Sequence, residues 1–212
     1  MRKITLFMLC LLAGLSLTAC LGDDDNSNAP KVLTDAEKAA QLSAISGDYD
    51  GQVFFSNDTI MRTDSLDVSW RITAMDSMLT IRNFPVRILA NGIVNTEARS
   101  ILNTDSREML RAYIIPYANN YGTEGHYTFL IIPKEGTFSF TVEKDEVEHQ
   151  VKVVFAQSMT AQSSLQGYGL FYSVGEYLSK EMMAFFLIKD VVIDNVTYTP
   201  GLACYIRGEK YY

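Results

Sequence analysis

Few residues in this sequence are of the types that carry acid–base, nucleophilic or metal chemistry. The 212 residues include three cysteines and two histidines. None of them stands in the short motifs that mark serine hydrolases, zinc sites or phosphate-binding loops. We therefore predict no catalytic residue, no metal and no cofactor. A non-catalytic domain is favoured over a hydrolase whose site the sequence does not identify.

Cys204, His149 and His126 have structural interpretations. Cys204 alternates with apolar residues, which predicts a small buried side chain on a strand. His149 is in phase with the valines of its segment, a pattern more typical of a hydrogen-bonded core or barrel-interior histidine than of a metal ligand. His126 precedes an apolar run and is expected in a loop. None of the three therefore defines a reactive centre.

Tyrosine and asparagine side chains are concentrated in one segment, and together they can bind a ligand. Tyrosine rings stack on sugar or aromatic rings, and amide groups hydrogen-bond hydroxyls. Tyrosines at strand ends also bridge core and solvent without any ligand, so this alternative stays open. The predicted site for a small apolar or glycan ligand consists of Tyr113, Tyr117, Asn119, Asn120, Tyr121 and Tyr127.

The charge balance excludes one large class of partners. The chain has 18 Lys+Arg against 25 Asp+Glu, which gives a net charge of −7. Nucleic-acid binding requires clustered basic residues, so we expect no nucleic-acid partner. The hydrophobic content of 48% is typical of a globular domain.

The N-terminus has the organisation of an export signal over residues 1–19. Arg2 and Lys3 precede an apolar run of roughly 14 residues, which is shorter than the roughly 20 that a permanent membrane-spanning helix needs. The run ends in LTAC at residues 17–20, which resembles the lipobox of bacterial lipoproteins. This resemblance implies that the thiol of Cys20 carries diacylglycerol and that acyl chains hold the protein in a lipid bilayer. An ordinary secretory signal with an incidental cysteine is the alternative.

An acidic, turn-rich segment follows the cysteine, and residues 20–33 are predicted to form a flexible tether. The triplet Asp23, Asp24 and Asp25 behind a lipobox cysteine resembles the surface-export signal of lipoproteins from Bacteroides-type bacteria. That resemblance implies an outer-membrane protein that faces the cell exterior. A solvated spacer without export function is the alternative.

Three tripeptides resemble the O-glycosylation sequence of exported proteins from the same bacterial group. Each consists of Asp, then Ser or Thr, then an aliphatic residue. The acceptor residues that the resemblance implies are Thr59, Ser65 and Ser77. Tripeptides this short also arise by chance.

From residue 34 to residue 212 the sequence predicts a single, mainly β domain. Thr34 and Glu37 have the spacing of a capping box and predict a short helix over Asp35–Ser46. Strict alternation of apolar and polar residues over 66–73 predicts a strand with one solvated face. The same pattern on both sides of a turn within 138–155 predicts a hairpin.

The middle and the end of the domain are predicted from weaker patterns. Mixed apolar spacing, which includes Met109, predicts one or two short helices between Val86 and Arg111. Closing strands are expected on both sides of Asp190 and again over Leu202–Arg207. About nine or ten short antiparallel strands fit either a barrel or a sandwich.

Gly47 and Tyr49 open the first predicted strand, and Arg207 lies in the last. This arrangement resembles the Gly-x-Trp and terminal Arg pairing that closes calycin-type barrels such as lipocalins, with Tyr in place of Trp. The resemblance implies a closed barrel in which Arg207 lies over the Tyr49 ring in a cation–π contact. In a sandwich the two residues would lie on different strands without that contact.

The layout as a whole is similar to that of lipoproteins from Bacteroides-type bacteria that carry a domain of unknown function. It runs from lipobox and acidic tether to a short helix and a Gly-x-Tyr-x-Gly strand. The resemblance implies a location but no activity. We therefore predict a lipid-anchored, surface-exposed lipoprotein whose non-catalytic domain binds a small or glycan ligand. An interaction module, such as an inhibitor or accessory subunit that docks an envelope protein, is the alternative.

Overall fold

Strands dominate the part of the chain that the structure describes. The computed structural model describes residues 32–57, 62–118, 124–134, 136–156 and 173–211, and these belong to one compact unit, Lys31–Tyr212. The helices are α1 (Asp35–Ile45), a 3₁₀ helix (Val86–Ala90) and α2 (Thr96–Leu102). The strands are β1 (Gly47–Asn57), β2 (Arg62–Thr73), β3 (Met78–Pro85), β4 (Arg107–Tyr117), β5 (Tyr127–Pro133), β6 (Thr137–Lys144), β7 (Val147–Phe155), β8 (Ser173–Leu178), β9 (Glu181–Ile193), β10 (Val196–Tyr198) and β11 (Leu202–Tyr211).

Eight of these strands close into an antiparallel barrel. Their order around the barrel is β1, β2, β3, β4, β5, β8, β9 and β11, and β11 pairs with β1 again. Each barrel strand pairs with the next barrel strand along the chain, because the β6–β7 hairpin and β10 are insertions. This up-and-down order decides between barrel and sandwich in favour of the barrel, and it is the order found in eight-stranded barrels such as lipocalins.

Strand β9 belongs both to the barrel and to a smaller sheet. Its first part, Glu181–Ile188, pairs with β11 in the barrel wall, and its second part, Ile188–Ile193, pairs with β7. Strands β6 and β10 lie at the two edges of this smaller sheet. Phe138 of β6 packs edge-on against Phe84 of β3, with ring centroids 6.0 Å apart. The hairpin therefore packs on one end of the barrel, which we call the hairpin end.

Helix α1 packs on the opposite end, which we call the helix end, and it begins as the sequence predicts. The Thr34 hydroxyl accepts a hydrogen bond from the Glu37 N–H at 3.2 Å, and the Glu37 carboxylate accepts one from the Thr34 N–H at 2.8 Å. Leu42 and Ile45 form the buried face of the helix. The Tyr49 hydroxyl donates to the Ile45 carbonyl at 2.5 Å, so the first strand is tied directly to the helix.

Side chains fill the barrel interior. The rings of Tyr49, Trp70 and Phe129 have no exposed surface, and Phe186 is almost as completely buried. An eight-stranded barrel is just wide enough for side chains to fill. Gly175 makes room for one of them, because a Cβ there would lie 2.2 Å from the Phe129 ring.

Two predictions of local structure are confirmed. The 3₁₀ helix and α2 are the short helices expected between Val86 and Arg111. Strands β6 and β7 form the expected hairpin, and its turn residues Asp145 and Glu146 both adopt positive φ, as a two-residue hairpin turn requires. No helix within the described ranges is both long and apolar enough to cross a membrane.

Two strand boundaries differ from the prediction, and one strand was not predicted. Strand β4 begins at Arg107, so Met109 lies in a strand and not in a helix. Strand β9 runs through Asp190 and ends before the turn of Asp194 and Asn195. Those two residues supply the positive φ values of the turn. Strand β8 was not predicted, because its small residues interrupt the apolar alternation.

The predicted contact between Arg207 and Tyr49 is wrong. Tyr49 points into the barrel, where Trp70 stacks on it with ring centroids 5.5 Å apart. Arg207 lies on the outer face, where its guanidinium pairs with Glu181. Lys210 of β11 lies at the helix end instead, and its ammonium donates to the Ala44 carbonyl at 3.0 Å. The contact fails because strand alternation places Arg207 on the face opposite to Tyr49.

Candidate functional site

The outer wall formed by β8, β9 and β11 carries apolar side chains where a solvated wall would carry polar ones. Val174 and Phe185 are each 42% exposed, and Met183 is 38% exposed. Val174 lies directly opposite Phe185, and Phe185 directly opposite Tyr205. Tyr205 stacks on Phe54 of β1, with ring centroids 4.8 Å apart. These contacts form a continuous exposed apolar row, which typically marks an interaction site.

A cleft of about 350 Å³ lies along this row, and we call it the apolar cleft. Its volume is within the range of small-molecule sites. Three aromatic rings and one carboxylate contribute to its wall. Its lining residues are Tyr117, Thr128, Val174, Gly175, Glu176, Met183, Phe185 and Tyr205.

A second cleft of about 600 Å³ adjoins the first toward the helix end, and we call it the charged cleft. The two clefts share Glu176 and Met183, so they form one continuous depression, the outer groove. The charged cleft is lined by His126, Glu176, Leu178, Ser179, Glu181, Met183, Arg207 and Glu209.

Two side-chain pairs arrange the polar groups of the charged cleft. His126 Nε2 lies 3.3 Å from Glu176 Oε2, and the His126 side chain is only 12% exposed. Arg207 Nε donates to Glu181 Oε1, and this bond is the main cause of the raised pKa of Arg207. Both pairs hold polar groups at the rim of the apolar surface. The groove therefore presents hydrogen-bonding groups beside aromatic rings.

Buried groups beneath the groove hold its wall in place. The Thr128 hydroxyl donates to the Tyr117 carbonyl at 3.1 Å, and Thr128 is 5% exposed. Inside the barrel, Tyr127 stacks on Tyr177 at 6.1 Å, and Tyr177 meets the Tyr49 ring edge-on at 6.5 Å. Burial raises the pKa of Tyr49, and the nearby Tyr177 raises it further, so Tyr49 stays protonated. The groove therefore lies on rigid strands that need little reorganisation to bind a ligand.

The structure separates the predicted tyrosine cluster between two faces. Tyr117 lines the apolar cleft. Tyr113 lies on the same outer face of β4, 38% exposed, but outside both clefts. Tyr127 packs against Tyr177 inside the barrel. Three members of the predicted site lie outside the described residues: Asn119, Asn120 and Tyr121.

The predicted modification residues are only partly described. Ser65 lies on β2 and is partly exposed, directly opposite Phe54. Ser77 lies in the turn before β3, where its carbonyl accepts a hydrogen bond from the Ile114 N–H at 2.7 Å. Thr59, the lipidation residue Cys20 and the export triplet Asp23, Asp24 and Asp25 lie outside the described residues.

The residues with reactive side chains occupy separate places. Cys204 is 1% exposed in the barrel core, as predicted, and burial raises the pKa of its thiol to about 12. His126 precedes β5, as predicted. His149 is not inside the barrel but on the β6–β7 hairpin, where its Nδ1 lies 2.6 Å from Asp194 Oδ2. Within the described ranges, no group of three or more His, Cys, Asp or Glu residues could hold a metal ion.

Sequence reasoning missed most of the groove. Val174 and Glu176 were not predicted as site residues, because they belong to strand β8, which was not predicted either. Phe185 and Met183 belong to an apolar run in β9 that does not alternate, which signals a strand with apolar residues on both faces. That run is the signal that could have identified the exposed row.

The described strands define a closed β-barrel that is filled with side chains and carries an apolar groove on its outer wall. Residues 44–193 match the family model described as a domain of unknown function (DUF4840), and the chain belongs to this family. The matched region contains the 3₁₀ helix, α2 and strands β1 to β9. No curated protein and no solved structure matches the chain significantly.

Proposed function

We propose that this protein is a lipid-anchored lipoprotein on the outer face of the outer membrane, and that its barrel binds a glycan ligand without catalysis. The observation that carries the proposal is the continuity of the apolar cleft with the charged cleft. A sugar ring has apolar faces and a rim of hydroxyl groups, so it fits a surface that offers aromatic rings beside charged hydrogen-bonding groups.

Specific residues match these two parts of a sugar. The rings of Phe185, Tyr205 and Tyr117 offer apolar surface. Glu176 and Arg207 offer an acceptor and donors for hydroxyl groups at the neighbouring positions of the charged cleft. Glu176 and Met183 line both clefts, so the aromatic and the charged groups belong to one groove.

The side chains of the charged cleft favour ligand binding over catalysis. Ser179 and His126 both line the charged cleft. The Ser179 hydroxyl makes no hydrogen bond to His126 or to any other described side chain. A serine nucleophile requires such a bond to its base. The pair of His126 and Glu176 therefore acts as a hydrogen-bonding wall of the groove.

The anchor is supported by the sequence. The LTAC tetrapeptide at residues 17–20 and the acidic triplet behind it are the basis for lipidation and surface display. Cys20→Ala should release the protein from the membrane fraction of cells, and unchanged fractionation would contradict lipidation. Protease treatment of intact cells should cleave the wild-type protein. Full protection would contradict surface display.

The groove is tested by thermal unfolding of the protein with a panel of neutral oligosaccharides. A ligand present at 100 times its Kd should stabilise the fold by about 2.7 kcal/mol. Phe185→Ala and Tyr205→Ala should each abolish the shift. Tyr113→Ala is the matched control, because Tyr113 is similarly exposed on the same outer wall but outside the groove. Equal shifts in all three variants would contradict the proposal.

A protein-interaction module is the second candidate, and the exposed apolar row favours it. Four apolar side chains that line the outer groove are about two-fifths exposed: Val174, Leu178, Met183 and Phe185. A partner that binds there should be lost on Phe185→Glu and retained on Tyr113→Glu in cross-linking on intact cells. That result, combined with no glycan-dependent stabilisation, would replace the glycan proposal.

A further inference from the structure

A separate cleft of about 520 Å³ lies at the hairpin end of the barrel, and we call it the end cleft. None of its described lining residues also lines the outer groove. Its volume is within the range of small-molecule sites. Its lining residues are Phe55, Asp64, Arg87, Ala90, Asn91, Arg99, Ser100 and Asn103.

The two short helices place polar side chains at this cleft because their apolar side chains are needed in the core. Helix α2 buries Ala98, Ile101 and Leu102. Arg99 and Ser100 therefore point away from that face, and Asn103, one turn after Arg99, lies beside them. The 3₁₀ helix in the same way buries its aliphatic residues and leaves its arginine at the cleft.

Two guanidinium groups dominate the electrostatics of the end cleft. Arg87 Nη1 lies 3.6 Å from Asp105 Oδ1, a long contact to a fully exposed carboxylate. The Arg99 guanidinium makes no hydrogen bond or ion pair with another described residue. One carboxylate, Asp64, lines the cleft, and it already accepts a hydrogen bond from the Ser65 N–H at 2.8 Å. The described lining residues therefore include two guanidinium groups and one carboxylate, and Asp105, which contacts Arg87, is not among them.

Neutral hydrogen-bonding groups surround these charges. Neither the Ser100 hydroxyl nor the Asn103 amide bonds to another described side chain. Asn91, which also lines the cleft, uses its amide nitrogen to donate to the Ile88 carbonyl at 2.9 Å. Phe55, 6% exposed, supplies an apolar surface. The cleft thus combines guanidinium donors, hydroxyl-binding groups and one aromatic face.

We propose that the end cleft binds an acidic sugar of the hexuronate class. Arg99 and Arg87 receive the carboxylate, because guanidinium groups bind carboxylates in paired, charge-assisted hydrogen bonds. Ser100, Asn103 and Asn91 bind the ring hydroxyls. A simple anion such as phosphate would use only the arginines, and a neutral sugar would leave them unused.

The experiment measures binding of glucuronate and galacturonate to the purified protein by isothermal titration calorimetry. Glucose, galactose and inorganic phosphate form the comparison arms. We expect both hexuronates to bind at least about tenfold more tightly than the neutral sugars and phosphate. Binding should weaken as salt increases, because the guanidinium groups are partly exposed.

Substitutions in the end cleft test whether hexuronate binds there. Arg99→Gln should weaken hexuronate binding by about tenfold or more. Arg111→Gln is the matched control, since it makes the same charge change on an exposed position of β4 outside the cleft. Asn103→Ala should weaken hexuronate binding without weakening phosphate binding.

Three outcomes would overturn the proposal. They are no hexuronate binding at millimolar concentration, equal affinity for phosphate and hexuronate, and equal loss of affinity in Arg99→Gln and Arg111→Gln. The groove variants Phe185→Ala and Tyr205→Ala should leave hexuronate affinity unchanged. This site is therefore tested independently of the proposed glycan groove.

Discussion

Tyr49 and Trp70 lie face to face inside the barrel, with ring centroids 5.5 Å apart and ring planes 7° apart. They are direct neighbours across β1 and β2. Trp70 Nε1 is 3.0 Å from the sulfur of Met182 on β9, on another part of the barrel wall. The stacked pair therefore links the first two strands of the barrel to β9, the seventh strand around it.

Tyr49→Phe should lower the free energy of unfolding by about 1–2 kcal/mol, because it leaves the buried Ile45 carbonyl without the tyrosine donor. Urea denaturation can be followed by the fluorescence of Trp70, the only tryptophan of the chain. Tyr113→Phe is the control, since the exposed Tyr113 hydroxyl should contribute little. Equal loss of stability in both variants would mean that the bond between strand and helix is not stabilising.

Gly175→Ala should destabilise the barrel by about 1–3 kcal/mol through overpacking. The added Cβ would lie 2.2 Å from the ring of Phe129, which is fully buried. Phe129→Leu should relieve part of this clash, so the double variant should lose less stability than the sum of the two single variants. Strict additivity in urea denaturation would contradict a direct contact.

Features set by neighbouring residues were predictable from the sequence. The capping box of Thr34 and Glu37 depends on four consecutive residues, and the β6–β7 hairpin depends on local alternation and a turn. The choice of a barrel was not predictable from such patterns. It depends on pairing between Glu181–Ile188 and Leu202–Glu209, and a strand's own sequence does not specify its partner.

The same limit applies to the candidate sites. Tyr117 was predicted because its neighbours are aromatic or amide residues. Phe185 and Tyr205 were not predicted, because only barrel closure places them opposite each other on the outer wall. Strand β8 was not predicted, because Gly175 interrupts its apolar pattern. A glycine is needed there because the Phe129 ring of β5 occupies the space of a side chain. Non-local complementarity of this kind leaves no local pattern.

Asp194→Asn should lower stability near neutral pH and have little effect in strong acid. The pKa of Asp194 lies below its ordinary value of 3.8, first because of its hydrogen bond with His149 and then because of that with the Gln150 N–H. A carboxylate with a lowered pKa stabilises the folded state above its ordinary pKa, and this contribution disappears as pH falls through the lowered value. The effect should be small because the pair is exposed.

The measurement is the midpoint of thermal unfolding of wild-type and Asp194→Asn proteins from pH 7 to pH 2. Their difference should shrink as pH falls below about 4. Asp145→Asn, in the other hairpin turn, is the control and should give no such convergence. A difference that stays constant down to pH 2 would show that Asp194 acts through turn conformation alone.

Cys204 should be alkylated only when the barrel unfolds. It is 1% exposed, and burial raises its thiol pKa from 9.0 to about 12. The raised pKa alone reduces the reactive thiolate about a thousandfold at pH 8, and closure of the barrel removes access as well. Iodoacetamide labelling of the peptide that contains Cys204, followed by mass spectrometry, should therefore accelerate with urea. It should also accelerate in Gly175→Ala, because that variant populates unfolded molecules more often. Labelling at a rate independent of both urea and Gly175→Ala would place the thiol in contact with solvent in the folded barrel.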